Sequence, residues 1–318
     1  MKTFSEVDLS LQQVILRKVI ELSWEDFGYK KIIQKVADDF SVKLGKGLLS
    51  YWFNNDVKLF GGQNKFEIKP SKELAYVIGV IFGDGNLFHH KSKSDYIIRL
   101  DAIDKDFVET FSSCVSKVLN KERNYVVMPT TRKSMDSIMY STRARSKQLY
   151  YFLKELKADF EKIKPFALAY PKEFIQGLAD SEGCPSLSAA NKFHIGVCVA
   201  YSMNVKLLAF VCLLLKTKFA IKSNVRLARK KGVTDSIING RPITRKNNVY
   251  SLSIGGFQST QKFSRRIDFC IKRKSQKLHD AVAVFENFSS CERTEEWCKR
   301  YFKPKSKWVP KAEVNFDN

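Results

Sequence analysis

One short pattern occurs twice in the chain. "VIGVIFGDG" (77–85) and "IQGLADSEG" (175–183) are each a largely apolar stretch with an internal glycine, a small residue four positions later, then an acid and a glycine. Residues four apart share one face of a helix, so Gly79 with Gly83, and Gly177 with Ser181, each leave a face almost bare of side chains. Bare faces let two backbones approach closely. The pattern therefore predicts two apolar helices packed through Gly79, Gly83, Gly177 and Ser181, with Asp84 and Glu182 brought together at their C-terminal ends. Such an ending is costly, because the negative end of each helix dipole repels its own acid and the two acids repel each other. It is well suited to a divalent cation. A hard, oxygen-preferring ion such as Mg²⁺ fits ligands that are all carboxylate, carbonyl and water: here Asp84, Glu182 and the backbone carbonyls beside them at Gly83 and Ser181.

The order of elements after each pattern repeats as well. After the first come a strand ("DYIIRLDA"), an amphipathic helix ("DKDFVETFSSCVSKVL"), a strand pair ("RNYVVMPTT", "SIMYSTRA") and a second helix ("SKQLYYFLKEL"). After the second, "FHIGVCVAYS", "NVKLLAFVCLLLKT", "NVRLARKK" with "NVYSLSIGG", and "QSTQKFSRRIDFC" fill the same places. The expected fold is α+β: two pseudo-symmetric αββαββα repeats with antiparallel sheets, packed through the paired pattern helices. The first repeat is placed at residues 67–168, the second at 169–305, and a basic and polar tail at 306–318. Residues 1–66 read as a small helical module. Apolar residues at Leu11, Val14, Ile15, Val19 and Ile20 have helical spacing, and "FSVKLGKG" separates two further helices in the manner of a helix-turn-helix, the second running from about Lys46 to Phe53.

Composition decides which partner such a body suits. The 318 residues are 44% hydrophobic, enough to bury a sizeable core, yet carry a net charge of +22 with a pI near 9.6. That surface fits a polyanion. No apolar run is long enough to span a membrane and the first residues do not read as a signal peptide, so nucleic acid in the cytoplasm or an organelle is the expected partner. Seven cysteines without a C-x-x-C pair, and four histidines, point to reduced thiols rather than a zinc site.

The charge concentrates outside the first 65 residues. "KSNVRLARKKGVTDSIINGRPITRK" (222–246) holds Lys222, Arg226, Arg229, Lys230, Lys231, Arg241, Arg245 and Lys246 against the single acid Asp235. Strict alternation along a hairpin sets Arg226 on one face with Ala228 and Lys230, and Leu227 with Arg229 on the other. The first-repeat counterparts are Arg123, Arg132, Lys133, Arg143, Arg145 and Lys147. Arginine matches the guanine edge, and lysine directed at the backbone gives salt-sensitive affinity.

The two patterns resemble the paired LAGLIDADG motifs of monomeric homing endonucleases, aligning on the nine-residue motif without gaps, and the resemblance extends over roughly residues 70–290. It implies that the motif helices form the interface between the halves, that Asp84 and Glu182 bind metal in the active site, and that saddle-shaped sheets cover the major groove of double-stranded DNA. It implies Mg²⁺-dependent hydrolysis of both strands across the minor groove, with short 3′ overhangs, Mn²⁺ substituting and Ca²⁺ supporting binding without cleavage. Intron or intein mobility is the associated biology. In "IDFCIKRKSQKLHDAV" (267–282) the resemblance assigns an active-site lysine just before the last helix: Lys274 first, Lys272 next. The first repeat offers Lys162 and Lys164 in a comparable place within a different local sequence. Two alternatives share the fold: an RNA-splicing maturase, and a transcriptional regulator joining a helix-turn-helix to a degenerate motif body.

Overall fold

The structure is a computed structural model that describes residues 1–25, 27–54, 66–90, 95–130, 138–238, 241–304 and 307–311. It opens with the short strand β1 (Lys2–Thr3), helices α1 (Leu9–Trp24) and α2 (Tyr29–Phe40), strand β2 (Val42–Lys43), parallel to β1, and α3 (Lys46–Asn54). Ser41 stops α2 with φ 55° and turns the chain towards α3. Ile15, Val19, Leu22, Ile32, Val36, Leu49 and Trp52 form a core of their own, separate from that of the body. Helices α2 and α3 follow one another through residues 41–45, a link that includes β2.

The first repeat runs α4 (Lys72–Ile81), β3 (Asn86–His90), β4 (Asp95–Ala102), α5 (Lys105–Val118), β5 (Val127–Thr130), β6 (Met139–Arg145) and α6 (Lys147–Ala158). A 3-10 turn and α7 (Lys164–Ala169) lead into the second: α8 (Pro171–Glu182), β7 (Cys184–Ala189), β8 (Phe193–Ser202), α9 (Val205–Phe219), β9 (Asn224–Arg229), β10 (Thr234–Ile238), β11 (Arg241–Thr244), β12 (Val249–Gly255) and α10 (Phe257–Arg266). After it come α11 (Lys272–Asn287), α12 (Arg293–Arg300), β13 (Tyr301–Phe302) and β14 (Val309–Pro310). The fold is α+β, with two antiparallel four-stranded sheets of matching order, β3-β4-β6-β5 and β7-β8-β12-β9. The N-terminal module meets the body through polar contacts: Leu9 N–H faces Glu155 Oε1 on α6, and Gln13 donates to the carbonyl of Phe66, whose ring packs in the core of the body against Phe152.

Helix α4 is buried from Leu74 to Ile81, as its all-round apolar sequence demands. Ser71 caps its start, accepting from Leu74 N–H at 3.1 Å. Its partner is α8, and backbone meets backbone. A Cβ on Gly79 would strike the Phe174 carbonyl oxygen and lie 2.9 Å from Leu178 N; one on Gly177 would strike the Tyr76 carbonyl and lie 3.1 Å from Val80 N. One on Gly83 would collide with Ser181 Cβ. All four small residues of the repeated pattern thus lie along the helix contact.

Three features differ from the expectation. The second repeat carries an additional hairpin, β10–β11, outside its main sheet. The segment after 306 is not all tail: Val309–Pro310 pair with Tyr301–Phe302, and Trp308 packs edge-on against the buried Trp297. Helix α11 begins at Lys272, so Lys274 sits inside its first turn rather than before it.

Candidate active site

The two motif acids stand on different local geometries. On the first side α4 ends at Ile81, and the chain wraps back so that Gly83 N–H and Gly85 N–H both bond the Val80 carbonyl, at 3.0 and 2.9 Å, with Asp84 on the turn between them. On the second side α8 continues through Glu182, and Gly183 N–H closes on the Ala179 carbonyl. Because the helices touch, the ends converge: Glu182 Cγ lies 3.2 Å from where a Cβ of Gly83 would be. Neither acid has a hydrogen-bond or ion-pair partner among the described residues.

That isolation has an electrostatic signature. Asp84 opens to solvent on one side, yet partial desolvation by the helices beneath raises its pKa, opposed by the charge of Lys274. Glu182 is raised by desolvation and then by Asp84, again opposed by Lys274. Glu182 therefore feels Asp84 across the junction of the repeats, and one ammonium group acts on both carboxyls.

Lys274 is only 7% exposed, with Nζ 2.6 Å from the Asp180 carbonyl oxygen and 5.7 Å from the Phe269 ring centroid. Burial pushes its pKa down and the Asp180 carboxylate pulls it back. Lys272, by contrast, points outward on the surface. The first-repeat lysines do not reach the site: Lys162 pairs with Glu155 and Lys164 with Glu161 on the outside of the body.

A residue that motif reasoning passed over holds this arrangement together. Asp180 is 1% exposed, and its carboxylate accepts from Tyr76 Oη at 2.9 Å, Cys270 N–H at 3.0 Å and Ile271 N–H at 3.5 Å. Burial raises its pKa to about 6, against the opposing pull of the Tyr76 hydroxyl, Lys274 and the two N–H groups. Those N–H groups open α11, whose N-cap Ile271 offers no side-chain acceptor, so Asp180 caps the helix from a distance. The first repeat holds the same helix start: Lys272 N–H donates to Asp106 Oδ2 at 2.7 Å and Arg273 forms a two-point pair with Asp104. Both repeats together aim Lys274. The signal was in the sequence, since an acid at Asp180 inside an apolar helix, where the first copy has Phe82, requires a buried partner.

Among the described residues no group of three or more His, Cys, Asp or Glu side chains is placed to hold a metal. The donor set at the junction is two carboxylates with helix-end carbonyls, and Ser181 Oγ is committed to the Gly177 carbonyl. That set fits Mg²⁺, which is usually held by one or two carboxylates and takes its remaining ligands from water and substrate phosphate.

The sheets extend from this junction, β3 starting two residues after Asp84 and β7 two after Glu182. Arg143, Arg145 and Arg226 are exposed on their solvent faces, and Lys147 is exposed at the start of α6. Arg123 is exposed in the loop before β5. Lys222, Lys230, Lys231 and Lys246 are exposed around the second-repeat hairpins, Arg245 is half-buried there, and Arg241 begins β11. Arg132 and Lys133 lie outside the described residues. The strict alternation expected for β9 is broken. A register shift pairs Tyr250 with Leu227 but Val249 with Arg229, so a bulge at Ala228 turns Arg229 to the side of Arg226.

No protein-family model matches the chain. Mesophilic variants of the homing endonuclease I-DmoI align over 62% of this chain and 90% of theirs, with 23% identity and a TM-score of 0.41. The LAGLIDADG meganuclease I-AabMI bound to uncleaved DNA aligns over 70% and 96%, with 15% identity and a TM-score of 0.42. The N-terminal LAGLIDADG domain of WhiA aligns over 67% and 83%, with 15% identity and a TM-score of 0.35. In sequence, glutamine–fructose-6-phosphate aminotransferase of Methanocaldococcus jannaschii is 25% identical over 224 residues, 67% of this chain but 18% of that protein. Uncharacterized protein MJ0398 of the same organism is 33% identical over 274 residues, covering 85% of this chain and 94% of its own length. The chain belongs to the family of that M. jannaschii protein.

Proposed function

We propose that the chain is a metal-dependent, site-specific endonuclease of the LAGLIDADG type acting on double-stranded DNA. One observation carries the reading: each repeat delivers a single carboxylate, unpaired and raised in pKa, to a shared helix junction beside one buried lysine. Stability alone gives no reason to gather two acids at two negative helix ends. Asp84 and Glu182 would hold the divalent cation, Mg²⁺ by the chemistry of the donors. Bound there, such an ion lowers the pKa of water and stabilises charge on phosphate oxygens. Lys274 adds a fixed positive charge on the same side, and Asp180 with the start of α11 keeps it from swinging to solvent. The exposed arginines on both sheets would seat a duplex across the junction, with one strand over each acid. The N-terminal module would read a flanking segment through α3, a contact that adds affinity without entering the chemistry.

The test is incubation of the full chain with Mg²⁺ and a duplex library, sequencing the new ends. Cuts in both strands at a defined sequence, lost in Asp84→Asn and in Glu182→Gln, are the expected result. Equal cutting by either variant would remove the assignment. Duplex binding without any cutting by the wild-type chain would favour the regulator.

A further inference from the structure

Three apolar side chains stand on the solvent face of the first repeat's sheet. Phe88 on β3 and Ile97 on β4 are register partners, and Met128 on β5 faces Ser141 on β6. Ile98 and Leu100, both fully buried, mark the core face, so the alternation of β4 turns Ile97 and Arg99 outward together. Register then sets Phe88 beside Ile97, with Asn86, Arg99 and Arg143 forming the next row on the same face. Met128 joins that face through Ser141, two residues before Arg143, so the arginine row lies between the two apolar spots. Phe88 is 53% exposed, Met128 61% exposed, and Ile97 is half-buried.

The fold does not require them. Phe88 follows Asp84 by four residues, and the residue that follows Glu182 by four is Ser186. Ser186 faces Gly196, where a Cβ would lie 2.6 Å from the Ile254 carbonyl oxygen and a side chain is shut out. The match continues across the sheets: Asn86, Arg99 and Arg143 correspond to Cys184, Cys198 and Ser253, so Met128 opposite Ser141 corresponds to Arg226 opposite Ser251. One backbone plan thus carries Phe, Ile and Met in the first copy and Ser, Gly and Arg in the second. A cross-strand pair such as Phe88 and Ile97 adds to sheet stability, but Met128 has only a serine to meet. Large apolar groups that share an exposed face mark a contact surface. Whatever covers this one must also accept the arginines in its midst, and a second copy of a chain charged +22 is repelled from it. A duplex meets both demands. The major-groove edge of thymine carries a C5 methyl group, and phenylalanine is among the side chains that meet it.

We propose that Phe88 with Ile97, and Met128, are specificity-determining residues that read thymine through its methyl group, in the half of the site covered by the first repeat. The inference rests on the duplex-DNA reading above. Strand β3 starts two residues after Asp84, and two residues of strand span roughly 6.7 Å, about two base-pair steps. Phe88 is one such span beyond Asn86, so its thymine lies about two steps further from the cut than the base pair beneath Asn86.

The test changes the DNA before the protein. The full chain, with Ca²⁺ in place of Mg²⁺, selects a bound sequence from a randomised duplex pool, and that duplex is remade with deoxyuridine for thymidine in one half at a time. Uracil pairs as thymine does and lacks only the methyl. Affinity should fall roughly fourfold for each methyl met, the effect of burying about one methylene, in one half of the site and stay unchanged in the other. Phe88→Ser combined with Ile97→Thr should bind thymine and uracil alike at one position, and Met128→Ser at another. Equal affinity for thymine and uracil in both halves overturns the proposal, as does an equal loss in the two halves or a selected sequence without thymine. So does a full thymine preference kept by the three substitutions together in a variant folded by circular dichroism. A wild-type dimer in sedimentation that Phe88→Ser dissociates would give the face to a second copy and overturn it too. Failure of the wild-type chain to retain any duplex would instead sink the DNA reading on which this one stands.

Discussion

At the sixth position of the motif the first repeat has Phe82 and the second Asp180, and the consequences run through the whole site. Phe82 closes an apolar helix against the core. Asp180, on the equivalent turn of α8, is buried and reaches out to the start of α11, fixing the helix that carries Lys274. The first repeat has no such reach, and its lysines at 162 and 164 lie in surface ion pairs. Repeats that share strand order and helix contact have therefore parted in chemistry: each keeps one acid, and only the second supplies the cation. A duplicated backbone fixes where groups can stand. Which groups stand there is decided separately in each copy.

The comparison can be broken first where the copies agree. Gly79→Leu and Gly177→Leu should each cost about 3 kcal/mol or more, since overpacking typically costs 1–3 kcal/mol and here two backbones must separate. Thermal melts would show this, and a variant with unchanged Tm would mean that the helices do not meet through that face. The next effect lies where the copies differ. Lys274→Met should slow cutting by at least about 100-fold, in the range for loss of a positioned electrostatic group, while Lys164→Met leaves the rate as it was. Equal losses in both would restore a symmetric pair of lysines. Asp180→Asn should fall between them, roughly 10-fold: the cap weakens, but Lys274 keeps the backbone carbonyl of residue 180 and α11 keeps Asp106 and Asp104. If cutting is unaffected while Tm drops, Asp180 is structural only. The smallest change is expected from deleting residues 1–54, whose core is separate: cutting at the same site should persist, with a modest loss of affinity and little change in its salt dependence. A deletion variant that folds and binds duplex but no longer cuts would place the module inside the catalytic unit.

Much of this was legible in the sequence because it depends on periods. Small residues four apart fixed the face of the helix contact, and alternation located the strands. What escaped reading depends on register and on distant contacts. The bulge at Ala228 moves Arg229 across the sheet through one unpaired residue that no alternation rule registers. Hairpin β10–β11 lies inside a stretch read as a basic hairpin within the main strand pair, without a further pair of strands of its own, and the packing of Trp308 on Trp297 rests on two aromatic residues eleven positions apart in a charged segment. Asp180 looked like part of a motif; its work became visible only when residues ninety positions away arrived above it.

The central claim is that two acids from two repeats form one metal centre, and Mn²⁺ titration monitored by electron paramagnetic resonance tests it directly. The full chain bound to duplex DNA should take up Mn²⁺. Asp84→Asn and Glu182→Gln should each weaken that uptake by more than about tenfold, the loss expected on removal even of a residue supporting a ligand. Wild-type affinity in either variant would show that Asp84 and Glu182 do not share an ion.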